Sequence, residues 1–220
     1  MASPHPAEYY TVEALHDYNV DVPNHEIYLM GEESQGDDEG NEPGVEYIMA
    51  SRFIRNMRFL TTKTPKKNLL IHMKSCGGSW EEGLAIYDTI KFSPAKTTIL
   101  NYTHARSMTS IIFQAATKRV MMPHSHFMFH GGTTVFSGTY KQALATAEFS
   151  RKHEMDWMLD MYVCRMKQGG KFSSWTEAKI KNMLIKEMDK KEDVYLTAEE
   201  TVEWGLADEI FDGNWGKIKK

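Results

Sequence analysis

Two cysteines in 220 residues, Cys76 and Cys164, are too few for a disulfide framework. They fit a reducing, cytoplasmic setting. No uninterrupted apolar run approaches the length that crosses a bilayer. The opening Met1-Ala2-Ser3-Pro4-His5-Pro6 lacks the basic start and apolar core of a signal peptide. Cationic excess is missing too. Lysine and arginine total 26 against 30 acidic residues, a formal net charge of −4, which argues against a nucleic-acid partner. Several metal and nucleotide signatures are absent. The glycine pair Gly77-Gly78 is not followed by the Lys-Ser/Thr of a phosphate loop, and H-E-x-x-H does not occur. The acidic residues of 31–44 do not have EF-hand spacing. No internal repeat appears beyond two strand–loop–helix units.

What is present is the composition of one soluble globular domain, 41% apolar and 25% charged. Residues 1–24 carry three prolines and no sustained period, and read as an arm with a short helix at 11–16. The 31–44 stretch is acidic, glycine-rich and unable to bury enough surface to order itself. Strands are expected at 26–30, 68–73, 97–102, 118–122, 126–130 and 208–211. Helices are expected at 45–60, 83–92, from 108, at 139–166, 174–188 and 197–205. Strands alternating with helices imply crossovers and a largely parallel sheet. The helix starting near 139 is long for a globular protein and mixed-faced, as expected of an element that projects and meets another subunit. Fifteen methionines suit adaptable packing there. Residues 213–220 form a C-terminal tail, whose basic end, Lys217-Ile218-Lys219-Lys220, is expected to fray.

Candidate chemistry begins at Ser107, between a β-branched strand and a helix apolar all round. Helix N-termini carry unsatisfied N–H groups and partial positive charge, a favourable place for negative charge to develop on an oxygen. The competing role is a plain helix cap. Gly77-Gly78 also joins a strand to a helix and can aim backbone N–H groups outward, although tight-turn glycines are common. His124, His126 and His130 share strand parity, which permits a zinc site. A general-base role for His130, at a strand end beside Gly131-Gly132, has the better support. Asp193 can orient that imidazole or be one more surface charge among lysines.

Several segments then resemble the proteolytic subunit of the Clp protease, in that family's order. They are Ser75-Cys76-Gly77-Gly78-Ser79, Gly83-Leu84-Ala85-Ile86-Tyr87-Asp88-Thr89-Ile90, Ala105-Arg106-Ser107-Met108, Phe127-Met128-Phe129-His130, and the run Ala198-Glu199-Glu200-Thr201-Val202-Glu203-Trp204-Gly205-Leu206-Ala207-Asp208. The resemblance spans residues 26–210. It implies an α/β fold of the Clp-protease/crotonase type, with repeated β-β-α units and a protruding handle helix at 139–168. The peptidase domain would be 25–212, with 31–44 as an insertion. It further implies a serine endopeptidase. Ser107 would be the nucleophile, His130 the base and Asp193 the third triad member. The oxyanion hole would be the N–H groups of Gly78 and Met108. An extended substrate would lie beside Gly77, Ser79, Gly131 and Gly132. No metal or cofactor is implied. The partners implied are unfolded polypeptides, further copies in heptameric rings stacked as two, and a hexameric AAA+ unfoldase driven by ATP. Departures include Cys76 for a proline, Arg106 for a small residue and Glu192 for an arginine. Two other readings stand beside this one: a crotonase-like acyl-CoA enzyme, and a catalytically inactive ring subunit.

Overall fold

The computed structural model describes residues 6–31, 42–133 and 138–218. Most of the acidic 31–44 stretch, residues 1–5 and residues 219–220 lie outside the described residues. The segment expected as an arm carries a helix longer than 11–16, α1 (Pro6–Tyr18), with Pro6 at its first position, where a missing N–H is harmless. The short β1 (Val20–Asp21) and β2 (Glu26–Met30) follow and pair antiparallel. An amphipathic helix, α2 (Tyr47–Lys63), starts at Glu46, whose carboxylate accepts from the N–H groups of Ile48 and Met49. It buries Met49, Phe53, Met57 and Leu60.

Two strand–helix units then repeat as the alternation predicts: β3 (Leu69–Ser75) with α3 (Trp80–Lys91), and β4 (Thr97–Arg106) with α4 (Met108–Phe113). β2, β3, β4 and β5 (Lys118–Met121) run parallel in that order. β3 is buried along nearly its whole length, as a strand covered on both faces must be. β4 is ten residues long, four more than its sequence pattern suggested, because it changes neighbours. Residues Thr98 to Asn101 pair with β5, then His104 to Arg106 pair with β6 (His126–Phe129). A register shift against β3 accompanies the change: Met73 opposes Asn101, but Ser75 opposes Ala105.

β6 also pairs antiparallel with β7 (Val194–Thr197). Between them in the chain come α5 (Tyr140–Gln168) and α6 (Glu177–Lys191). α5 opens with a capping box between Thr139 and Gln142 and buries nothing before Met158. Its last three turns bury Met158, Leu159, Tyr162, Val163 and Met166. Arg165 there donates to the carbonyls of Gln114 and Ala116, so a cation meets the open carbonyl end of α4. A short α7 (Ala198–Trp204), with the expected Thr197/Glu200 capping box and a left-handed Gly205, leads to β8 (Glu209–Ile210) beside β5.

The tail is not frayed where described. It forms α8 (Trp215–Ile218), and Ile218 is buried against Leu70, Leu100 and Val120 on the second face of the sheet. Lysines around Ile218 hid this anchor, since one apolar residue carries no period. The architecture is the expected mixed α/β one, with a mostly parallel central sheet. In such sheets, crevices form at the carboxyl ends of the strands. β3, β4 and β6 end together there, each in one of the sequence-selected motifs.

Candidate active site

Ser107 sits at the junction of β4 and α4 with φ 51° and ψ −124°. A side-chain residue at positive φ is strained by about 1–3 kcal/mol. Three contacts hold it there. Its N–H donates to the carbonyl of Met128 in β6. The Thr109 hydroxyl donates toward the Arg106 and Ser75 carbonyls and accepts from the Arg106 N–H. The Ser110 hydroxyl donates to the Ser107 carbonyl and meets the Tyr162 hydroxyl at 2.6 Å. The Ser107 hydroxyl makes no capping bond to α4. It lies 2.8 Å from His130 Nε2 instead.

His130 follows β6 directly, and Asp193 directly precedes β7. Since Phe129 opposes Val194 in the antiparallel register, residues 130 and 193 are the next facing positions. His130 Nδ1 is 3.1 Å from Asp193 Oδ1, with the two side chains 22% and 45% exposed. Glu192 enforces the placement. It has φ 57° and ψ −71°, and the Asp193 N–H closes back on the Lys191 carbonyl at 2.7 Å. That is a γ-turn of the rare positive-φ kind.

The glycine pair is fixed by Val45, which the sequence pattern placed at the start of the helix expected at 45–60 but which lies ahead of that helix, in extended backbone. Val45 forms an isolated parallel bridge with Gly78: its N–H donates to the Gly77 carbonyl and its carbonyl accepts from the Ser79 N–H. Gly77 (φ 104°) packs so closely that a Cβ there would come within 2.7 Å of Ser107 Cβ. Gly78 (φ 146°) would place a Cβ 2.3 Å from the Val45 carbonyl oxygen. The N–H groups of Gly78 and Met108 take part in no hydrogen bond among the described residues. Ser79 caps α3, its Oγ accepting from the Glu82 N–H.

A cleft of about 480 Å³ opens over this arrangement. Gly78, Ser79, Ser107, Met108, His130, Gly131 and Gly132 line it. Gly77 lies beneath, and Asp193 lines a neighbouring cleft on the far side of His130. Sequence reading missed the wall contributed by α5, including Ser150, Glu154 and Met158. Their spacing of four marks one helix face, a signal obscured by the helix's mixed polarity.

Shared parity does not unite the three histidines. The His126 ring lies 5.6 Å from His104 and 5.8 Å from Tyr195, whereas His130 turns to Ser107 and Asp193. Burial lowers the pKa of both His104 and His126. Among the described residues no three His, Cys, Asp or Glu side chains gather to hold a metal ion.

The sequence model of the Clp protease family matches residues 42–214. This chain belongs to the Clp protease family. It is 30% identical over 180 residues to an ATP-dependent Clp protease proteolytic subunit of Streptococcus pyogenes serotype M1, covering 77% of this chain and 82% of that protein. It is 27% identical over 170 residues to the protein of the same name from Deinococcus radiodurans, covering 76% of each. The matched Clp protease segment contains every residue of the cleft and of the serine–histidine–aspartate line.

Proposed function

We propose that this Clp protease family member is a serine endopeptidase acting by acyl transfer, with Ser107, His130 and Asp193 as its triad. The observation that carries the reading is the Ser107 hydroxyl, turned away from its helix and held 2.8 Å from an imidazole whose other nitrogen meets Asp193. His130 removes the hydroxyl proton as Ser107 attacks a peptide carbonyl, then delivers it to the leaving amine; water releases the acyl group in a second, mirrored step. Asp193 holds the imidazole orientation and stabilises its charged form. The N–H groups of Gly78 and Met108 receive the developing oxyanion, each such donor contributing about 3 kcal/mol to the lowered barrier. Gly131 and Gly132 leave one edge of the cleft open to an extended substrate backbone. These steps call on no cofactor.

The peptidase domain comprises 25–212 in this reading, with 139–168 as the handle. The relatives are named as proteolytic subunits of an ATP-dependent protease, which supports a part in a larger, ATP-linked assembly; heptameric rings, an AAA+ unfoldase that delivers unfolded polypeptide and a cytoplasmic location complete the proposal. The exposed half of α5 supports subunit pairing: Phe149, His153 and Trp157 follow one another at spacings of four, the His153 ring stacked on Trp157 and tilted against Phe149. A fluorophosphonate probe tests the chemistry. Labelling confined to Ser107, and lost in Ser107→Ala, supports it. No labelling, with acyl-CoA binding, favours the crotonase-like reading. No labelling, with co-assembly beside an active homologue, favours an inactive ring subunit. Native mass measurement of the particle tests the heptameric and double-ring assembly.

A further inference from the structure

The α5 wall of the cleft has a chemical gradient. Met158 is buried at 5% exposure, next to Ile111 and Met108, which are also buried. These three give the part of the cleft beside Ser107 an apolar floor. One helical turn toward the N-terminus, about 5.4 Å along the axis, stands Glu154, half-buried and lining the same space. Beyond it comes Ser150. Glu154 forms no ion pair among the described residues, although α5 carries Arg151 and Lys152 close by in sequence. A second carboxylate, Glu81, lines the cleft from the first turn of α3 across the opening. It too has no ion-pair partner among the described residues. Among the described residues no lysine or arginine lines this cleft.

An apolar floor ending in an unpaired carboxylate suits one kind of side chain. A lysine or arginine lays its methylene stem on apolar surface and carries its charge to the far end. Thioether side chains such as Met108 and Met158 adapt to such a stem. A partly buried carboxylate gains more from a cation than an exposed one does, because solvent screens it less. We propose that Glu154 is a specificity-determining residue that selects a lysine or arginine side chain of an extended polypeptide in the Ser107 cleft. Glu81 adds to the negative potential at the mouth and favours entry of cationic segments. The proposal rests on the reading of this cleft as the peptide site but not on turnover, since Glu154 acts in binding.

The test therefore uses binding. Two fluorescently labelled unstructured decapeptides, identical except for lysine or norleucine at the central position, are titrated against full-length Ser107→Ala protein. Anisotropy reads the affinity. The lysine peptide is expected to bind about five-fold tighter, the size of a half-exposed ion pair. The preference should vanish in Ser107→Ala/Glu154→Gln and turn toward a glutamate-containing peptide in Ser107→Ala/Glu154→Lys. Equal affinities, a preference that survives Glu154→Gln, or no binding of either peptide each overturn the proposal. Circular dichroism of the double variants checks that they fold. Failure of the peptidase reading shows separately, as absence of fluorophosphonate labelling in the unmodified protein.

Discussion

The hydroxyl of Ser107 lies 2.8 Å from His130 Nε2 although the two residues are 23 positions apart. A serine at a helix start ordinarily turns its oxygen to an N–H of the first turn. Here φ of 51° swings the side chain out of capping range, and the bond between the Ser107 N–H and the Met128 carbonyl fixes the backbone beside β6. The same strand pairing that delivers His130 therefore also holds the serine it faces.

Asp193→Asn is expected to lower kcat on an unfolded protein or peptide by about 10²- to 10⁴-fold with little change in KM, since an amide no longer fixes the imidazole tautomer. His130→Ala should lose at least as much. The double variant should be no worse than His130→Ala alone, because members of one catalytic unit are not additive. Steady-state kinetics decide this. Normal turnover in either single variant removes that residue from the proposed triad.

Gly77→Ala is expected to damage activity without touching substrate. Its Cβ would press on Ser107 Cβ at 2.7 Å and on the Arg106 carbonyl oxygen at 2.8 Å, at a φ of 104° that side chains resist. Displacing the serine by about 1 Å costs on the order of 10²-fold in rate. The strain lowers stability by about 1–3 kcal/mol. Parallel measurement of kcat/KM and of urea unfolding checks both effects. Unchanged kinetics would mean that the turn relaxes elsewhere.

Acidification should destabilise the fold through His104 and His126. His104 is lowered by burial and by Arg106 and Lys74, against the opposing pull of Glu42, whose carboxylate lies 2.7 Å from its Nε2. His126 is lowered by burial, by His104 and by Arg106. A histidine that binds its proton less readily when folded contributes stability that is fully present above its unfolded pKa of about 6.5. That stability falls away as pH drops through the window beneath. Thermal unfolding between pH 7.5 and 5 should show the decline, and His126→Gln should make it shallower. Identical slopes would exclude His126 as a source.

Much of the site could be read along the chain because its parts stand at the ends of elements that local pattern reveals. The β-branched run before Ser107, the glycine pair after β3 and the capping box at Thr197 are all short-range signals. Three things were not local. Val45 fits the apolar period of the helix expected at 45–60, yet it stands before that helix and pins Gly78 by an isolated bridge. Ile218 anchors the tail through one side chain. The extension of β4 to Arg106 depends on a second neighbour, β6, that only the folded sheet supplies.

The amino-acid order alone determined the alternation of strand and helix, and with it a parallel sheet whose crevice end collects Gly77-Gly78, Ser107 and His130. Hydrophobic period and turn chemistry act over a few residues, so they are written locally. The tertiary structure decided that the Ser107 hydroxyl does not cap its helix, that Asp193 faces His130 rather than solvent lysines, and that Glu154 looks into the cleft. Each of those outcomes depends on strand register or on the angle at which α5 packs against α4. Register and packing angle are set by contacts between segments far apart in the chain.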